Sequence, residues 1–458
     1  MIITLLGKGF KTDEEKRALY SFDEALSKKF ELKDKQNYTN MLPLLIDTFK
    51  DREIVPIFTK EAKKTQQVVL EDEFNNRYDD LFKKEYFIES TEDFASILRV
   101  LNGVINQNRP YIIDLTHSFR HLSILATISL IANHITDTSG VEHIFFAKEI
   151  TQATKETIGK YEIIDLKEYL ELANLSMMLS TFNQNYTVST NIEFTNPLYS
   201  KIAKELTDFS HHFLSNSLRP LIEGELISNI IDNLDEIKEN KAIDNFKDYI
   251  EEIIYHLEGI RQLKHEDDWK KLYKLSKIMD NRGYQLNAIT LLFESVGFYC
   301  KDRIYSISDK IKEHIDYFEE ELLGKKEPIT KYSLYTLVNQ SRNIVKLSNE
   351  NNKSDEKFKG DYLYNPETIN LIKSQFKRLK PKPKDKMKVI IEDIECFVES
   401  RDDIDWFQDF IREIENLRNN LAHGNSSQGI EDVKSTYQDM LKKFKIFCID
   451  EDILNKVG

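Results

Sequence analysis

The chain has 458 residues, of which 40% are hydrophobic and 31% are charged, so it is long enough for two or three domains with large cores. Its formal net charge of −14 disfavours non-specific binding to nucleic acids or acidic membranes, and any contact with RNA must therefore be local. The cysteines Cys300, Cys396 and Cys448 are too scattered for a disulfide framework or a zinc-binding pattern, which favours a reducing, cytoplasmic environment.

The amino-terminal part of the chain alternates between predicted strands and predicted helices. Apolar runs predict strands at Ile2–Leu6, Glu53–Phe58, Tyr111–Leu115, Val141–Ala147 and Tyr161–Leu166. Helical patterns predict helices at Glu14–Lys28, Asn40–Phe49, Glu92–Ile105 and Ser118–His134. Strands that alternate with helices imply a mostly parallel sheet with helices on both faces, so we expect an α/β, Rossmann-like fold class here.

From about Leu172 onward the pattern becomes almost entirely helical. A short candidate strand at Asn191–Phe194 is followed by helices predicted at Ile222–Leu234, Asn245–Leu263, Trp269–Asp280, Tyr284–Ile304, Ser308–Leu323, Tyr332–Leu347, Pro366–Leu379, Met387–Arg401, Trp406–Leu421 and Gly429–Phe447. We place the boundary near residue 180, which gives an α/β domain at 1–180 and a mainly α-helical region at 181–458. A basic segment at 373–388, broken by prolines, is either a guide for a polyanion or an ordinary solvated loop.

Two turns are expected at the carboxyl edge of the predicted sheet, where ligands of open α/β folds bind. The first, Gly7-Lys8-Gly9, follows the first strand and offers backbone N–H groups and an ammonium group to a phosphate. The second, from Asp114 to His121, places hydroxyl, imidazole and guanidinium groups before a helix whose amino end attracts anions. In the structural alternative, both turns only connect a strand to a helix and bind nothing.

The segment Glu415–Gly424 closes an amphipathic helix and is the candidate catalytic segment. Arg418 falls within the apolar sector of that helix, where a permanently charged guanidinium group is costly unless it is paired. His423 follows five residues later, so it points about 140° away from Arg418 if the helix continues. Either the helix ends near Gly424 and frees the imidazole ring, or a second copy of the chain completes the site. In the structural alternative, Arg418 lies at a helix–helix contact and His423 lies near a helix terminus.

These motifs carry a resemblance to a known family. Arg418-Asn419-x-x-Ala422-His423 resembles the R-x4-H motif of HEPN ribonucleases. Asp114-Leu115-Thr116-His117-Ser118-Phe119-Arg120 resembles the D-x-T-H-x-[FL]-R signature of the CRISPR-associated Rossmann (CARF) domain, and Ile2 to Gly9 resembles its first strand and glycine turn. The two motifs stand in the expected order, across the predicted change from α/β to helical. The chain thus resembles type III CRISPR-associated CARF–HEPN effectors of the Csx/Csm kind.

The resemblance implies a cytoplasmic endoribonuclease of antiviral defence that is activated by cyclic oligoadenylate, with tetra-adenylate favoured over hexa-adenylate. The implied ligand-binding residues are Gly7, Lys8, Gly9, Thr116, His117, Ser118, Phe119 and Arg120. The implied catalytic residues are Arg418, Asn419 and His423, which would cut single-stranded RNA with no metal or cofactor and leave 2′,3′-cyclic phosphate ends. The implied assembly is a homodimer or a higher homo-oligomer that binds the activator across a two-fold axis.

Two alternatives remain open, and neither involves a membrane. The first is a non-catalytic, cyclic-nucleotide-sensing dimer, and the second is a HEPN toxin held by a protein partner. The longest nearly apolar stretch, Leu122–Ala132, is too short to cross a bilayer, and we find no secretory signal sequence.

Overall fold

The computed structural model describes residues 1–7, 18–32, 37–89, 93–105, 109–117, 120–135, 137–154, 157–189, 192–240, 243, 246–307, 404–424 and 427–446. These residues form two compact units. The first comprises Met1–His211 and Ser228–Tyr255, and the second comprises His212–Ile227 and the described residues from His256 onward. None of the helices within these ranges is long and apolar enough to span a membrane.

A six-stranded sheet forms the centre of the first unit. Its strands are β1 (Ile2–Leu5), β2 (Ala18–Phe22), β3 (Ile54–Ile57), β4 (Tyr111–Asp114), β5 (Val141–Thr151) and β6 (Gly159–Asp165). They lie side by side in the order β2-β6-β5-β4-β1-β3. All neighbouring strands pair in parallel except β5 and β6, which are antiparallel. The mixed, mostly parallel sheet confirms the α/β class that the sequence predicts for this part of the chain.

Helices surround the sheet and make up nearly all of the described residues of the second unit. Within the described residues they are α1 (Glu24–Lys29), α2 (Met41–Thr48), α3 (Lys60–Phe74), α4 (Phe94–Ile105), α5 (Arg120–Asn133), α6 (Lys167–Asn185), α7 (Pro197–Leu214), α8 (Arg219–Glu223), α9 (Leu226–Lys238), α10 (Lys247–Arg261), α11 (Asp268–Asn281), α12 (Gln285–Ile307), α13 (Ile404–Ala422) and α14 (Ile430–Lys445). Short 3₁₀ turns occur at Asp79–Leu81, Lys84–Tyr86 and Gln262–His265. A mainly helical region therefore follows the α/β part, as the sequence predicts.

Both faces of the sheet are buried, because successive side chains of a strand point to opposite sides. Ile2 and Ile112 belong to one hydrophobic cluster, whereas their chain neighbours Ile3 and Ile113 belong to another. The continuous apolar runs in β1 and β4 reflect this double burial, which is typical of parallel strands.

The segment Ala18–Phe22 is a strand, so the helix predicted at Glu14–Lys28 is wrong in this part. Residues 18–22 pair along their whole length with Gly159–Ile163 of β6, and Tyr20 and Phe22 are buried. This pairing joins residues far apart in sequence, so a local pattern does not reveal it. Residues 8–17 lie outside the described residues.

Other predicted elements need correction or fall outside the described ranges. Helix α3 was not predicted, because two glutamines occupy buried positions of its short apolar stripe. The candidate strand Asn191–Phe194 amounts, among the described residues, to a single bridge between Asp137 and Glu193. The four helices predicted between Ser308 and Arg401, and the basic segment 373–388, lie outside the described residues.

The first unit extends past the predicted boundary near residue 180, which falls inside α6. The buried carboxylate of Glu171 on α6 accepts hydrogen bonds from the N–H groups of Thr195 and Asn196, at 3.0 and 2.9 Å. These bonds attach the start of α7 to a helix that packs against β5. The sequence shows where the last strand of the sheet ends. The unit that contains the sheet also includes the helices that follow this strand and pack beside the sheet.

Aromatic packing holds α13 in place within the second unit. Phe407 of α13 lies against Tyr299 of α12 at a ring-centroid distance of 6.0 Å, and Phe410 of α13 stacks on Phe444 of α14 at 5.9 Å. All four rings are buried. These contacts fix the amino-terminal part of α13 between α12 and α14, and the candidate catalytic segment lies at the other end of the same helix.

Gln66 of α3 provides a first test of the fold. Its side chain is fully buried, and neither Nε2 nor Oε1 has a hydrogen-bond partner in the described part of the chain. Because an unpaired buried amide costs roughly 1–3 kcal/mol, Gln66→Met should raise the free energy of unfolding by about 1 kcal/mol or more in urea titrations.

Gln67 offers the matched control on the same helix, since its Nε2 donates a hydrogen bond to Asp79. Gln67→Met removes that bond and should lower the free energy of unfolding. If Gln66→Met proved less stable than the unmodified chain, the amide would have to be bonded to a buried water.

Candidate functional site

The carboxyl ends of β1 and β4 lie side by side near the centre of the sheet. Ile2, Ile3 and Thr4 pair in parallel with Ile112, Ile113 and Asp114. Because β3 lies on one side of β1 and β4 lies on the other, the crevice beyond these two ends is a topological switch point. Crevices of this kind are the usual ligand sites of open α/β sheets.

Asp114 joins the ends of the two strands. Its carboxylate is fully buried and accepts a 2.7 Å hydrogen bond from the Thr4 hydroxyl and a 3.0 Å bond from the Thr116 N–H. Burial raises the pKa of Asp114, although these hydrogen bonds oppose the shift. The side chain therefore fixes β4 to β1 and sets the direction of the turn that follows.

The turns after β1 and β4 touch each other at Gly7 and His117. A Cβ atom at position 7 would lie 1.8 Å from the carbonyl oxygen of His117, which leaves no room for any side chain. The structure thus brings together Gly7, Thr116 and His117 from the predicted ligand-binding set. Lys8, Gly9, Ser118 and Phe119 lie outside the described residues, and Arg120 is described only as the first residue of α5.

His117 places a buried ring nitrogen in the turn after β4. Its Nε2 has no hydrogen-bond partner within the described ranges, and the Tyr20 ring lies edge-on to the imidazole at 4.9 Å. Tyr161 of β6 stacks on Tyr20 at 5.0 Å. Burial lowers the pKa of His117 to about 4, so the imidazole is neutral at neutral pH and can either donate or accept one hydrogen bond at Nε2.

Tyr20 and Tyr161 are site residues that the sequence analysis missed. Tyr20 was assigned to a helix, and that assignment removed it from the sheet edge. The alternation of Tyr20 and Phe22 fits a strand, but the run Ala18–Phe22 is too short to outweigh the helical pattern around it.

Helix α13, which carries the candidate catalytic segment, ends at Ala422. This agrees with the first alternative given for the sequence, in which the helix ends near Gly424. The His423 N–H still bonds to the Asn419 carbonyl at 3.0 Å, and Gly424 follows with a φ of +66°, a conformation that glycine adopts readily. The side chain of His423 is exposed to solvent. Its imidazole is therefore accessible at the end of the helix.

Arg418 is half-buried and only partly satisfied. Its Nη1 donates a 3.0 Å hydrogen bond to Oδ1 of Asn419, and its guanidinium carbon lies 5.9 Å from the centre of the Phe293 ring on α12. Its Nε is buried with no hydrogen-bond partner among the described residues. The contact with α12 is the one that the structural alternative predicts, whereas the unpaired Nε provides a donor that an anion can use.

The two regions offer different chemistry. The crevice at β1 and β4 offers backbone and a neutral imidazole, while the end of α13 offers a permanent cation and an exposed imidazole five residues apart. A search of the described side chains finds no cluster of three or more His, Cys, Asp or Glu residues that could hold a metal ion.

No protein-family model matches the sequence, and no curated protein matches it at a significant level.

The contact between Gly7 and His117 gives a second test. Gly7→Ala forces the two turns apart, since the new Cβ atom would meet the backbone carbonyl of His117, which cannot turn aside as a side chain can. It should lower the free energy of unfolding by roughly 1–3 kcal/mol, measured in urea. Gly103→Ala is the matched control in α4, where a Cβ atom meets nothing within 4 Å and alanine favours the helix by about 1 kcal/mol. Equal stabilities of the two variants would contradict the close approach.

The buried imidazole of His117 gives a third test, in the pH dependence of stability. The pKa of His117 falls from 6.5 to about 4 on folding, so between those pH values the unfolded chain holds more protons and acid favours unfolding. His117→Phe keeps a ring beside Tyr20 and does not titrate. Between pH 7 and pH 5 the unmodified chain should lose roughly 2 kcal/mol more stability than this variant. Parallel losses in both proteins would show that the imidazole is protonated normally in the fold.

Proposed function

We propose that this protein is an endoribonuclease that cleaves single-stranded RNA without a metal and is activated by cyclic oligoadenylate, in the manner of CARF–HEPN effectors of type III CRISPR defence. The observation that carries the proposal is the end of α13, where Arg418 has an unpaired buried Nε and His423 is exposed just after the helix. The R-x4-H spacing of these residues is the spacing that the HEPN resemblance requires.

The proposed chemistry uses the 2′-hydroxyl of RNA as its own nucleophile, so the protein positions the linkage and handles protons and charge. His423 takes the proton from the 2′-hydroxyl or gives one to the leaving 5′-oxygen, since histidine is the side chain that most often transfers protons in catalysis. Arg418 stabilises the negative charge that builds up on the phosphate, and Asn419 holds one end of its guanidinium group. The products carry 2′,3′-cyclic phosphate and 5′-hydroxyl ends.

The proposed assembly is a homodimer in which each protomer contributes Arg418 and His423 to a shared cleft. Arg418 packs against Phe293 of α12 inside its own protomer, whereas His423 is exposed beyond the end of α13. In the homodimer the exposed imidazole of one protomer meets the half-buried guanidinium group of the other.

The proposed activator site is the crevice beyond β1 and β4, formed by Gly7, Lys8, Gly9, Thr116, His117, Ser118, Phe119 and Arg120. The close approach of Gly7 to His117 and the unpaired buried Nε2 of His117 support a ligand at this place. The amino end of α5, which begins at Arg120, favours the phosphates of a cyclic oligonucleotide. Tetra-adenylate is the favoured ring size, and hexa-adenylate is the competing one.

The second candidate function is a cyclic-nucleotide-sensing dimer with no catalysis, and the contact between Arg418 and Phe293 favours it, because a structural arginine also packs in this way. A HEPN toxin held by a protein partner is the third. In that protein the crevice at β1 and β4 has no nucleotide to bind.

The fourth test measures cleavage of single-stranded RNA in EDTA, with and without cyclic tetra-adenylate or hexa-adenylate. RNA should be cut only with the activator. His423→Ala and Arg418→Ala should each lower the rate by about 100-fold or more, since positioned proton transfer contributes roughly 10²–10⁴-fold. The end groups of the fragments, read by phosphatase and kinase treatment, should be 2′,3′-cyclic phosphate and 5′-hydroxyl.

Arg412→Ala is the matched control, because Arg412 lies on α13 and pairs with Asp409 at 2.8 Å. The rate of RNA cleavage by the Arg412→Ala variant should stay close to that of the unmodified chain. Activator binding without RNA cleavage would favour the non-catalytic sensor, and cleavage without activator would favour the toxin. Cleavage that survives His423→Ala would remove His423 from the mechanism.

A further inference from the structure

A row of exposed polar side chains leads along one side of α13 to its carboxyl end. Asp409, Glu413, Asn416 and Asn420 follow one another at steps of four, three and four residues, which is the spacing of side chains that share one side of a helix. His423 comes three residues after Asn420, and its N–H still makes a helical hydrogen bond of 3.0 Å. All five side chains are exposed to solvent. The imidazole of His423 therefore stands at the end of this row.

The chemistry of the row changes along the helix. Its first part carries the carboxylates of Asp409 and Glu413, whereas the part closer to His423 carries the amides of Asn416 and Asn420. Carboxylates repel the phosphates of a nucleic acid, and amides do not. We call Asn416 and Asn420 the amide pair. The side of α13 next to His423 is thus uncharged in a chain whose net charge is −14.

Helix stability does not explain the amide pair. Asparagine is a weaker helix former than glutamate, lysine or alanine, and both residues lie inside the helix, which ends at Ala422. An asparagine near a helix end often serves to adopt the left-handed conformation after the last turn. In this chain Gly424 has that role, with a φ of +66°. The amides therefore have a use other than forming or ending α13.

A side-chain amide presents a hydrogen-bond donor beside an acceptor. The edges of nucleobases present the same groups, and an asparagine can form two hydrogen bonds with one base. In single-stranded RNA these edges are unpaired and accessible to protein side chains. An exposed pair of amides next to an exposed imidazole is therefore suited to the bases on one side of a linkage that the imidazole reaches.

We infer that Asn416 and Asn420 are specificity-determining residues, whose amides hydrogen-bond the edges of the RNA bases beside the scissile linkage. The inference rests on the proposed function, since it is His423 that acts on this linkage. With about 3.6 residues per turn, Asn420 lies roughly one turn before His423 and Asn416 roughly two turns before it. Asn420 accordingly contacts the base nearer the linkage, and Asn416 contacts the next one.

The fifth test measures how the full chain binds single-stranded 2′-O-methyl oligonucleotides that contain only adenine, only cytosine or only uracil. Fluorescence anisotropy gives the dissociation constants in EDTA, with and without cyclic tetra-adenylate. These oligonucleotides lack the 2′-hydroxyl nucleophile and are not cut, so the readout does not depend on catalysis. The tightest and the weakest dissociation constants should differ at least about tenfold, because one amide–base pair discriminates between bases by roughly fivefold or more.

The double variant Asn416→Ala, Asn420→Ala should reduce this difference to about threefold or less. Its melting temperature by circular dichroism should stay the same or rise, because alanine is the better helix former, so the lost discrimination does not reflect unfolding. The double variant Asn416→Gln, Asn420→Gln keeps both amides and should retain more of the difference. Asn229→Ala is the matched control and should leave the difference unchanged, since Asn229 is an exposed asparagine on α9 of the first unit.

Three results would overturn the inference, namely no binding, equal binding of the three oligonucleotides by the unmodified chain, or an unchanged difference in the double alanine variant. Base-dependent binding that needs the amide pair, in a chain that never cuts RNA, would support these contacts and contradict the ribonuclease. RNA cleavage together with binding that does not depend on the base would overturn the contacts and leave the proposed function intact.

Discussion

The parallel pairing of β1 with β4 is the constraint on which the candidate activator site depends. It puts the ends of both strands at one edge, and the buried Asp114 carboxylate then holds Thr4 and the Thr116 N–H. With the strand ends fixed, the next residues have little freedom, and Gly7 meets the His117 carbonyl. A buried carboxylate of raised pKa is costly, and it persists because its hydrogen bonds are good. The position of His117 therefore follows from the hydrogen bonds of Asp114, three residues earlier in the chain.

Gln66, His117 and Arg418 each bury a polar atom that has no hydrogen-bond partner among the described residues, but their surroundings differ. Gln66 sits on a helix facing the core and has no feature of a site around it. The Nε2 of His117 lies at a switch point, and the Nε of Arg418 lies beside an amide and an aromatic ring near an exposed histidine. The location in the fold therefore distinguishes Gln66 from His117 and Arg418, because ligands reach strand ends and helix ends more easily than helix interiors.

Much of the first unit could be predicted from the sequence because its signals are local. The apolar runs of β1, β3 and β4 and the helical spacing of α2 and α4 give elements close to those observed. The sequence places the turns that contain Gly7 and His117 at the same edge of the sheet, whereas their contact depends on the pairing of β1 with β4, which the sequence does not reveal. Strand β2 could not be predicted, because what makes it a strand is β6, about 140 residues further along the chain. The rings of Tyr20 and Tyr161 were lost with it.

The candidate catalytic segment was predictable in its location and only partly in its geometry. The period of the apolar residues in α13 gives the helix, and Gly424 gives its end. Neither reveals that Arg418 lies over Phe293, because that ring comes from a helix more than a hundred residues earlier.

The same contact shapes what Arg418 can do. The Asn419 amide and the Phe293 ring hold the guanidinium group at two places, so its position is set before any anion arrives. A cation that is already oriented loses little entropy on binding and needs little reorganisation as charge develops. An arginine that served packing alone would gain nothing from an unpaired Nε, since burying a donor without a partner is a net cost. The unpaired Nε is therefore the feature of this helix end that packing against α12 does not explain.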